Sequence, residues 1–433
     1  MATRIVIVGG GAGGLELATA LASQRRWRKR HGIDIVLVDR NSTHLWKPLL
    51  HEVASGAMDS SVDELSYRAL ARQRGFRFKI GEFCHLDPAN KRITLGAVED
   101  DEHRQVLPER QISYDYLVMA LGSVTNDFST PGIVEHCHFL DNSNQAERFQ
   151  YHFLNSLMRT DNELGRLLDS QVSVAVVGGG ATGVELSAEL MAAVEAVREY
   201  GFSHLTSKAL QVTLLEAGPR LLPMLPERLS ENARLELERL GVTVRLSAPV
   251  VRAEHGALIT QEGEQLNSDL MVWAAGIKGP DCLTNQGLTL TRNGQMQVHN
   301  TLQSVDHPAI FALGDCAACP RGDELVPPRA QSAHQMAGHL VKNLHRATQG
   351  QALTPFHYLD RGSLITLSHY SAVGSLMGGL SKGSLWVEGR IARLMYLSLY
   401  RMHQIAVYGL WRGILIVFTD RLHRAFRPRL KLH

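Results

Sequence analysis

Two glycine-rich turns of the form Gly-x-Gly-x-x-Gly, Gly9/Gly11/Gly14 and Gly178/Gly180/Gly183, occur in one chain, each between a short apolar β-branched run and a helix-like run. The first turn follows the strand pattern 4–8, a helix pattern continues over 15–21, and a second strand pattern, 33–38, ends at Asp39. Glycines let the backbone turn sharply and approach a pyrophosphate. That group rests on the helix N-terminus, where free amides and the dipole favour negative charge. The acid at the end of the second strand can accept ribose hydroxyls. The second copy repeats this order: strand 172–177, the turn, a helix from 184 to about 198, and a strand 212–215 closing on Glu216. An acid there with no Arg directly after it favours NADH over NADPH, because it would repel a 2′-phosphate. One such fingerprint is weak evidence, since an ordinary strand-to-helix turn can carry it; two copies with strand, helix, strand and terminal acid are specific. Two nucleotide sites in one polypeptide point to an electron-transfer enzyme.

The expected fold class is therefore α/β, with two Rossmann-like dinucleotide-binding units and a C-terminal amphipathic helical region. A chain of 433 residues is too long for one core, given domains of about 100–200 residues. The first unit spans 1–125 and closes with the apolar strand and glycine turn of 116–123, which includes Ala120 and Gly122. The second spans 165–285 and closes with a matching element at 270–276, ending in Ala275 and Gly276. Residues 300–370 carry a strand into the turn at Asp315, a Pro327-Pro328 bend and a helix from Ala330 to about Ala347. With no fingerprint of its own, this segment is expected to return to the first unit, which makes the second an insertion.

Residues 371–433 form the last region, and charge is concentrated there. From Arg390 to His433 there are nine Lys/Arg and one acid, a formal +8 that leaves −6 for the rest of the chain. At 100° per residue, Ile391, Leu394, Met395, Met402 and Ile405 share one face, opposite Arg390, Arg393, Arg401 and Gln404. A second segment sets Leu410, Trp411, Ile414, Leu415, Phe418, Leu422 and Phe426 on a wide apolar face. Arg401, Arg412 and Asp420 interrupt the uncharged runs far short of the roughly 20 residues a spanning helix needs. Such helices lie in a bilayer surface, with the basic residues drawn to anionic lipid. The same apolar faces could instead pack on the body or form a homodimer seam. A nucleic-acid partner is not expected, because the basic end is interleaved with apolar residues.

The apolar run before the first glycines is too short for a signal peptide, so export is not expected. Five cysteines without a framework of spacings fit a reducing compartment. Cys316 and Cys319 have the spacing of a redox or metal pair, but they follow a strand and tight turn, and a small buried pair is the expectation; no metal site is expected.

The chain closely resembles the type II NADH:quinone oxidoreductases, single-chain flavoprotein dehydrogenases of respiratory chains, along essentially its whole length. The resemblance is carried by 5–16, the Leu45–Ala54 segment with Lys47-Pro48-Leu49-Leu50, 177–189, 273–278, Gly314-Asp315-Cys316-Ala317, 327–335 and the basic end 427–433. It implies FAD in the first unit, on Gly9, Gly11, Ala12, Gly13 and Gly14, with Asp39 on ribose, Ala120 and Gly122 nearby, Asp315 on the ribityl or pyrophosphate region, and Lys47 and Ala317 near the isoalloxazine. It implies NADH as substrate in the second, on Gly178, Gly180, Thr182, Gly183, Glu216, Ala275 and Gly276. Glu185 would help relay protons to the quinone. Ala330, Gln331, Ser332, Ala333 and Gln335 would form the quinone site, and Lys382 is a candidate for stabilising a quinone oxyanion; His334 has no assigned role. The implied activity is transfer of hydride from NADH to FAD and of two electrons to ubiquinone or menaquinone, without proton pumping, at the cytoplasmic face of a bacterial inner membrane.

A sulfide:quinone oxidoreductase shares the architecture, but its chemistry needs reactive cysteines beside the flavin, and Cys84, Cys137, Cys282, Cys316 and Cys319 offer no obvious trio. A disulfide reductase is disfavoured because no cysteine pair follows either glycine motif. A flavoprotein redox sensor is the non-enzymatic alternative, and slow turnover would reveal it.

Overall fold

In the computed structural model the chain is described at residues 2–166, 170–366, 372–377, 384–388, 400–409, 411–413, 415, 419 and 431. Lys382 and most of the C-terminal positions whose faces were read above lie outside the described residues.

The two β-branched runs become buried central strands of two parallel sheets. Thr3–Val8 pairs in parallel with Ile33–Asp39 on one side and Tyr116–Met119 on the other. Arg77–Ile80 and Ile310–Ala312 add the outer strands, so a late piece of chain completes a five-stranded sheet. Val172–Val177 likewise lies between Leu210–Leu215 and Leu270–Trp273 in a four-stranded sheet. Strands buried on both faces read as continuous apolar runs. That is why 5–8 and 174–177 are all buried.

The two sheets repeat each other hydrogen bond for hydrogen bond at their carboxyl ends. Gly9 N–H donates to the Val38 carbonyl and Gly178 N–H to that of Leu215, both at 2.8 Å. Ala120 N–H donates to Val8 at 2.7 Å, and Ala274 N–H to Val177 at 2.8 Å. Gly9 and Gly178 have φ of +106° and +114°, a region that L side chains rarely adopt. A Cβ on Gly14 or Gly183 would run into the carbonyl oxygen of Gly9 or Gly178. These glycines let helices Ala12–Ser23 and Ala181–Val197 start directly against their sheets.

Two cross-connections join the halves. The links Val124–Thr125 and Ile277–Lys278 pair antiparallel, and Trp273 Nε1 donates to the Asn126 carbonyl at 2.8 Å. The short helix Leu50–Ser55 belongs in sequence to the first half, yet its Leu50, Val53 and Ala54 share a core with Phe149, Phe153 and Leu186. It thus carries first-half side chains to the second fingerprint helix. The glycine-rich stretch after 371 supplies Ala372–Met377 and Ser384–Glu388, which join Gly362–Thr366 in an antiparallel sheet. Among the described residues, no helix is long and apolar enough to cross a membrane.

Candidate active site

Helices Ala12–Ser23 and Ala181–Val197 begin at Gly11 and Gly180 with no side-chain cap. A helix start leaves up to four backbone N–H groups without helical partners, so each turn presents donors and a positive dipole end. The backbone at both N-caps suits any residue, with φ of −59° at Gly11 and −75° at Gly180. A Cβ at either would meet nothing within 4 Å. Glycine there keeps a space clear that packing does not require, and a pyrophosphate fits such a space.

The predicted acids stand beside their turns. Asp39 accepts from Gly10 N–H at 2.6 Å and Asn41 N–H at 2.8 Å. Burial outweighs these bonds and raises its pKa. Glu216 accepts from Gly179 N–H at 2.6 Å and Gly218 N–H at 2.7 Å. The nearby Arg220 donates to the carbonyls of Leu225 and Pro223, so its guanidinium is already engaged. Ala12 and Thr182 lie in the first turns of their helices, Thr182 exposed and Ala12 half-buried. Gly13 is buried against Leu313 and Ala333.

Lys47, Ser123 and Asp315 form a second cluster at the end of the first sheet. Lys47 Nζ donates to the Ser123 carbonyl at 2.8 Å and lies 3.3 Å from Asp141, while Ser123 Oγ donates to Asp315 at 2.9 Å. Burial raises the Asp315 carboxyl, with the Ser123 hydrogen bond and the Lys47 charge opposing. Ala120 is buried, Gly122 has φ +73° with open space beyond it, and Ala317 is buried next to Asp315. Ala275 and Gly276 follow the last strand of the second sheet, where Gly276 faces Phe128. Ser123 and Asp141 had no motif to announce them. Cys316 and Cys319 are free and buried, and burial pushes their thiols up to about 12 and about 11; both are protonated, poor nucleophiles.

Glu185 is buried on the second fingerprint helix, and His51 from helix Leu50–Ser55 comes to 3.6 Å from its Oε2. Burial lowers the His51 pKa to about 4, partly offset by a hydrogen bond to the Pro48 carbonyl. The contact at neutral pH is therefore a neutral imidazole beside a carboxyl group, not an ion pair. His51 Nε2 is buried without a partner among the described residues. His51 lies in the Leu45–Ala54 segment, but sequence reading gave it no role because nothing local shows that it faces Glu185.

In the 330–335 segment Gln331 Oε1 accepts from Arg361 N–H at 3.0 Å and from the Tyr358 hydroxyl at 3.3 Å. Gln335 binds both backbone groups of Leu359, at 2.8 and 3.0 Å. Ser332 Oγ donates to the Pro327 carbonyl at 2.6 Å, Ala333 packs beside Gly13 and Gly314, and Ala330 packs against the core that holds Leu50, Phe149 and Leu186. The amides of Gln331 and Gln335 thus play different parts: Gln335 holds the 359 loop, and the Gln331 amide nitrogen has no partner among the described residues.

A family model described as pyridine nucleotide-disulphide oxidoreductase matches residues 3–337. The chain is 46% identical over 444 aligned positions to a type II NADH:quinone oxidoreductase of Haemophilus influenzae, covering 99% of each chain. It is 28% identical to the type II NADH:quinone oxidoreductase Ndh of Mycobacterium tuberculosis, over 93% of this chain and 84% of that one. The solved structure of NDH2 from Plasmodium falciparum in complex with NADH matches with a TM-score of 0.80 at 19% identity, covering 100% of both chains, which is a likeness of fold.

Proposed function

This chain belongs to the type II NADH:quinone oxidoreductases, and from that premise we propose that it oxidises NADH and reduces ubiquinone or menaquinone, without pumping protons, using one non-covalent FAD. The observation that carries the reading is the duplicated, uncapped fingerprint with clear space at Gly11 and Gly180.

The first turn holds the pyrophosphate of FAD on the amides around Gly11, Ala12 and Gly13, with Asp39 accepting a ribose hydroxyl. Asp315, held by Ser123 and balanced by Lys47, stands at the same carboxyl end of the sheet, and Lys47 would supply a cation to stabilise the reduced flavin. When bound, FAD supplies a hydride acceptor and a two-electron donor to quinone. The second turn holds NADH through Gly180, Thr182 and Gly183. Glu216 accepts from its ribose and disfavours a 2′-phosphate.

Hydride transfer needs no side-chain base, so the residues at this step orient the substrate and exclude water. Quinone reduction also consumes two protons. Glu185 and His51 are a buried pair between the two halves that can hold and pass a proton. The Gln331 amide donates to a quinone carbonyl, and the alanines of the motif admit a flat ring. Residues 391–433 meet the cytoplasmic face of a bacterial inner membrane as a peripheral attachment. Trp411 (81% exposed) and Leu415 (62%) are apolar side chains turned to the outside there. The domain division follows the same plan: FAD on 1–125 and 300–370, NADH on 165–285, and membrane association through 371–433.

Steady-state NADH oxidation by the FAD-loaded protein, with and without a short-chain quinone, tests this reading. Quinone-dependent turnover is expected. Slow turnover that quinone does not accelerate would contradict it and favour a redox sensor.

A further inference from the structure

One charged group in the first fingerprint helix is not used by this chemistry. Glu16 follows Gly14 by two residues in an otherwise apolar run and is 6% exposed. Each of its oxygens is taken by a histidine from a distant part of the chain. His334 Nδ1 lies 2.6 Å from Oε2, and His403 Nδ1 lies 2.7 Å from Oε1. His403 Nε2 is 2.9 Å from His44 Nε2. Its ring stacks on Trp46 at 5.8 Å and 4°, and Trp46 also stacks on Tyr400 at 5.1 Å and 19°.

One carboxylate therefore ties together three elements: the helix that starts at the FAD turn, the helix that carries the 330–335 motif, and the helical segment 400–408. Burial works to raise the Glu16 pKa, but the hydrogen bonds and charges of His334 and His403 outweigh it and hold the carboxyl below its ordinary value. Its hydrogen bond in turn raises His334. A buried charged cluster is a poor source of stability compared with apolar packing of the same volume, and Val407 and Tyr400 already supply apolar contacts for the segment. What the cluster adds is direction, since hydrogen bonds to an ionised group fix geometry that apolar contact leaves free.

The direction matters because of where His334 stands. It lies three residues after Gln331, on the same side of one helix. A rotation of helix Ala330–Ala347 about its axis would move Gln331 and His334 together. We propose that Glu16 is a positioning residue for quinone reduction: through His334 it sets the rotation of the 330–347 helix and so the place of Gln331, and through His403 it makes that setting depend on docking of segment 400–408. The proposal rests on the reading of 330–335 as the quinone site. It links the membrane-proximal end of the chain to acceptor binding while leaving the NADH side untouched.

The test uses full-length, FAD-loaded protein carrying His403→Ala, His403→Gln or Glu16→Gln. Flavin content, melting temperature, the rate of flavin bleaching by NADH without quinone, and KM and kcat for a short-chain quinone are measured for each. Loss of a charge-assisted hydrogen bond predicts a rise in quinone KM of about tenfold or more for His403→Ala and Glu16→Gln. Flavin content and the bleaching rate should stay within about twofold of the parent, and His403→Gln, which keeps a hydrogen-bonding group, should recover part of the KM. Unchanged quinone KM in His403→Ala and Glu16→Gln would overturn the proposal. So would a parallel fall in bleaching rate and quinone turnover, which would place the joint under the flavin. Absence of quinone turnover in the parent protein would instead refute the function proposed above, so the two failures are distinguishable.

Discussion

Replacing Gly180 by Val separates the needs of the fold from those of the ligand. The backbone at 180 is extended, with φ −75° and ψ −175°, a conformation that Val adopts freely. A Cβ there meets nothing within 4 Å. Folding should then change little, and losing glycine's unfolded-state freedom is worth about 0.4–1 kcal/mol in favour of the variant. The same carbons would stand where the proposed pyrophosphate site lies on the uncapped helix. Displacing two charge-assisted hydrogen bonds at about 1.5–3 kcal/mol each gives a loss of about 3–6 kcal/mol, or about 10²–10⁴-fold in NADH affinity. Gly178→Ala is the control: at φ +114° its Cβ would lie 2.7 Å from the Ala274 carbonyl, so this change should cost several kcal/mol of stability. NADH affinity from flavin-bleaching titrations and melting temperature are the two readouts. Gly180→Val should keep its melting temperature and FAD and lose NADH. Parent-like NADH affinity in Gly180→Val would refute the placement of the pyrophosphate, and a melting loss as large as that of Gly178→Ala would refute the claim that the space is held open for a ligand.

Other consequences are equally measurable. Glu185→Gln should leave flavin bleaching by NADH within about twofold and slow quinone-dependent turnover by about 10²-fold, the lower range for a lost proton carrier; equal slowing of both half-reactions in stopped flow would argue against the proton role. His51 is held near 4 in the fold against an ordinary value of 6.5, so the unfolded chain binds the extra proton first and stability falls as pH drops from 6.5 towards 4. At about 1.4 kcal/mol per unit the full effect approaches about 3 kcal/mol, and His51→Gln should show a shallower fall in urea midpoint over that window; an identical slope would show that His51 is not the group responsible. Trp411→Ser combined with Leu415→Glu should reduce co-sedimentation with anionic vesicles without changing NADH-dependent flavin bleaching, and unchanged sedimentation would move lipid contact elsewhere. Glu216→Ala removes the carboxylate that would repel a 2′-phosphate, so it should improve NADPH use relative to NADH, modestly because Arg220 stays engaged by backbone carbonyls. An unaltered ratio of the two kcat/KM values would remove Glu216 from the ribose.

What the sequence could reveal was local. A strand, a glycine turn, a helix and an acid within about 40 residues state their own pairing, because parallel strand order and the helix dipole follow from general rules. The strands Thr3–Val8 and Val172–Val177 were therefore readable beside their turns, and the helix Ala330–Ala347 was expected after the Pro327-Pro328 bend. Contacts between distant segments were not. The Glu16–His403 bond spans 387 positions, and the approach of His51 to Glu185 depends on one short helix packing across to the other half. Segment 400–408 shows the limit of periodicity: the pattern put Gln404 on its polar face and Met402 on its apolar one, yet Tyr400, His403, Gln404 and Val407 are buried while Met402 is 42% exposed. A buried polar joint, which hydropathy counts as surface, reverses that assignment. Gln331 and Gln335 look alike in sequence, and only the return of the 359 loop distinguishes them.

The central claim is that two nucleotide sites act in series, the second feeding electrons to the first and the first to quinone. A double-mixing stopped-flow experiment tests it directly, with NADH added first under anaerobic conditions and a short-chain quinone second, while the visible absorbance of the flavin is followed. The account predicts bleaching on the first mix and full recovery on the second, in parallel with quinol formation. Bleaching without recovery, or recovery without quinol, would contradict it.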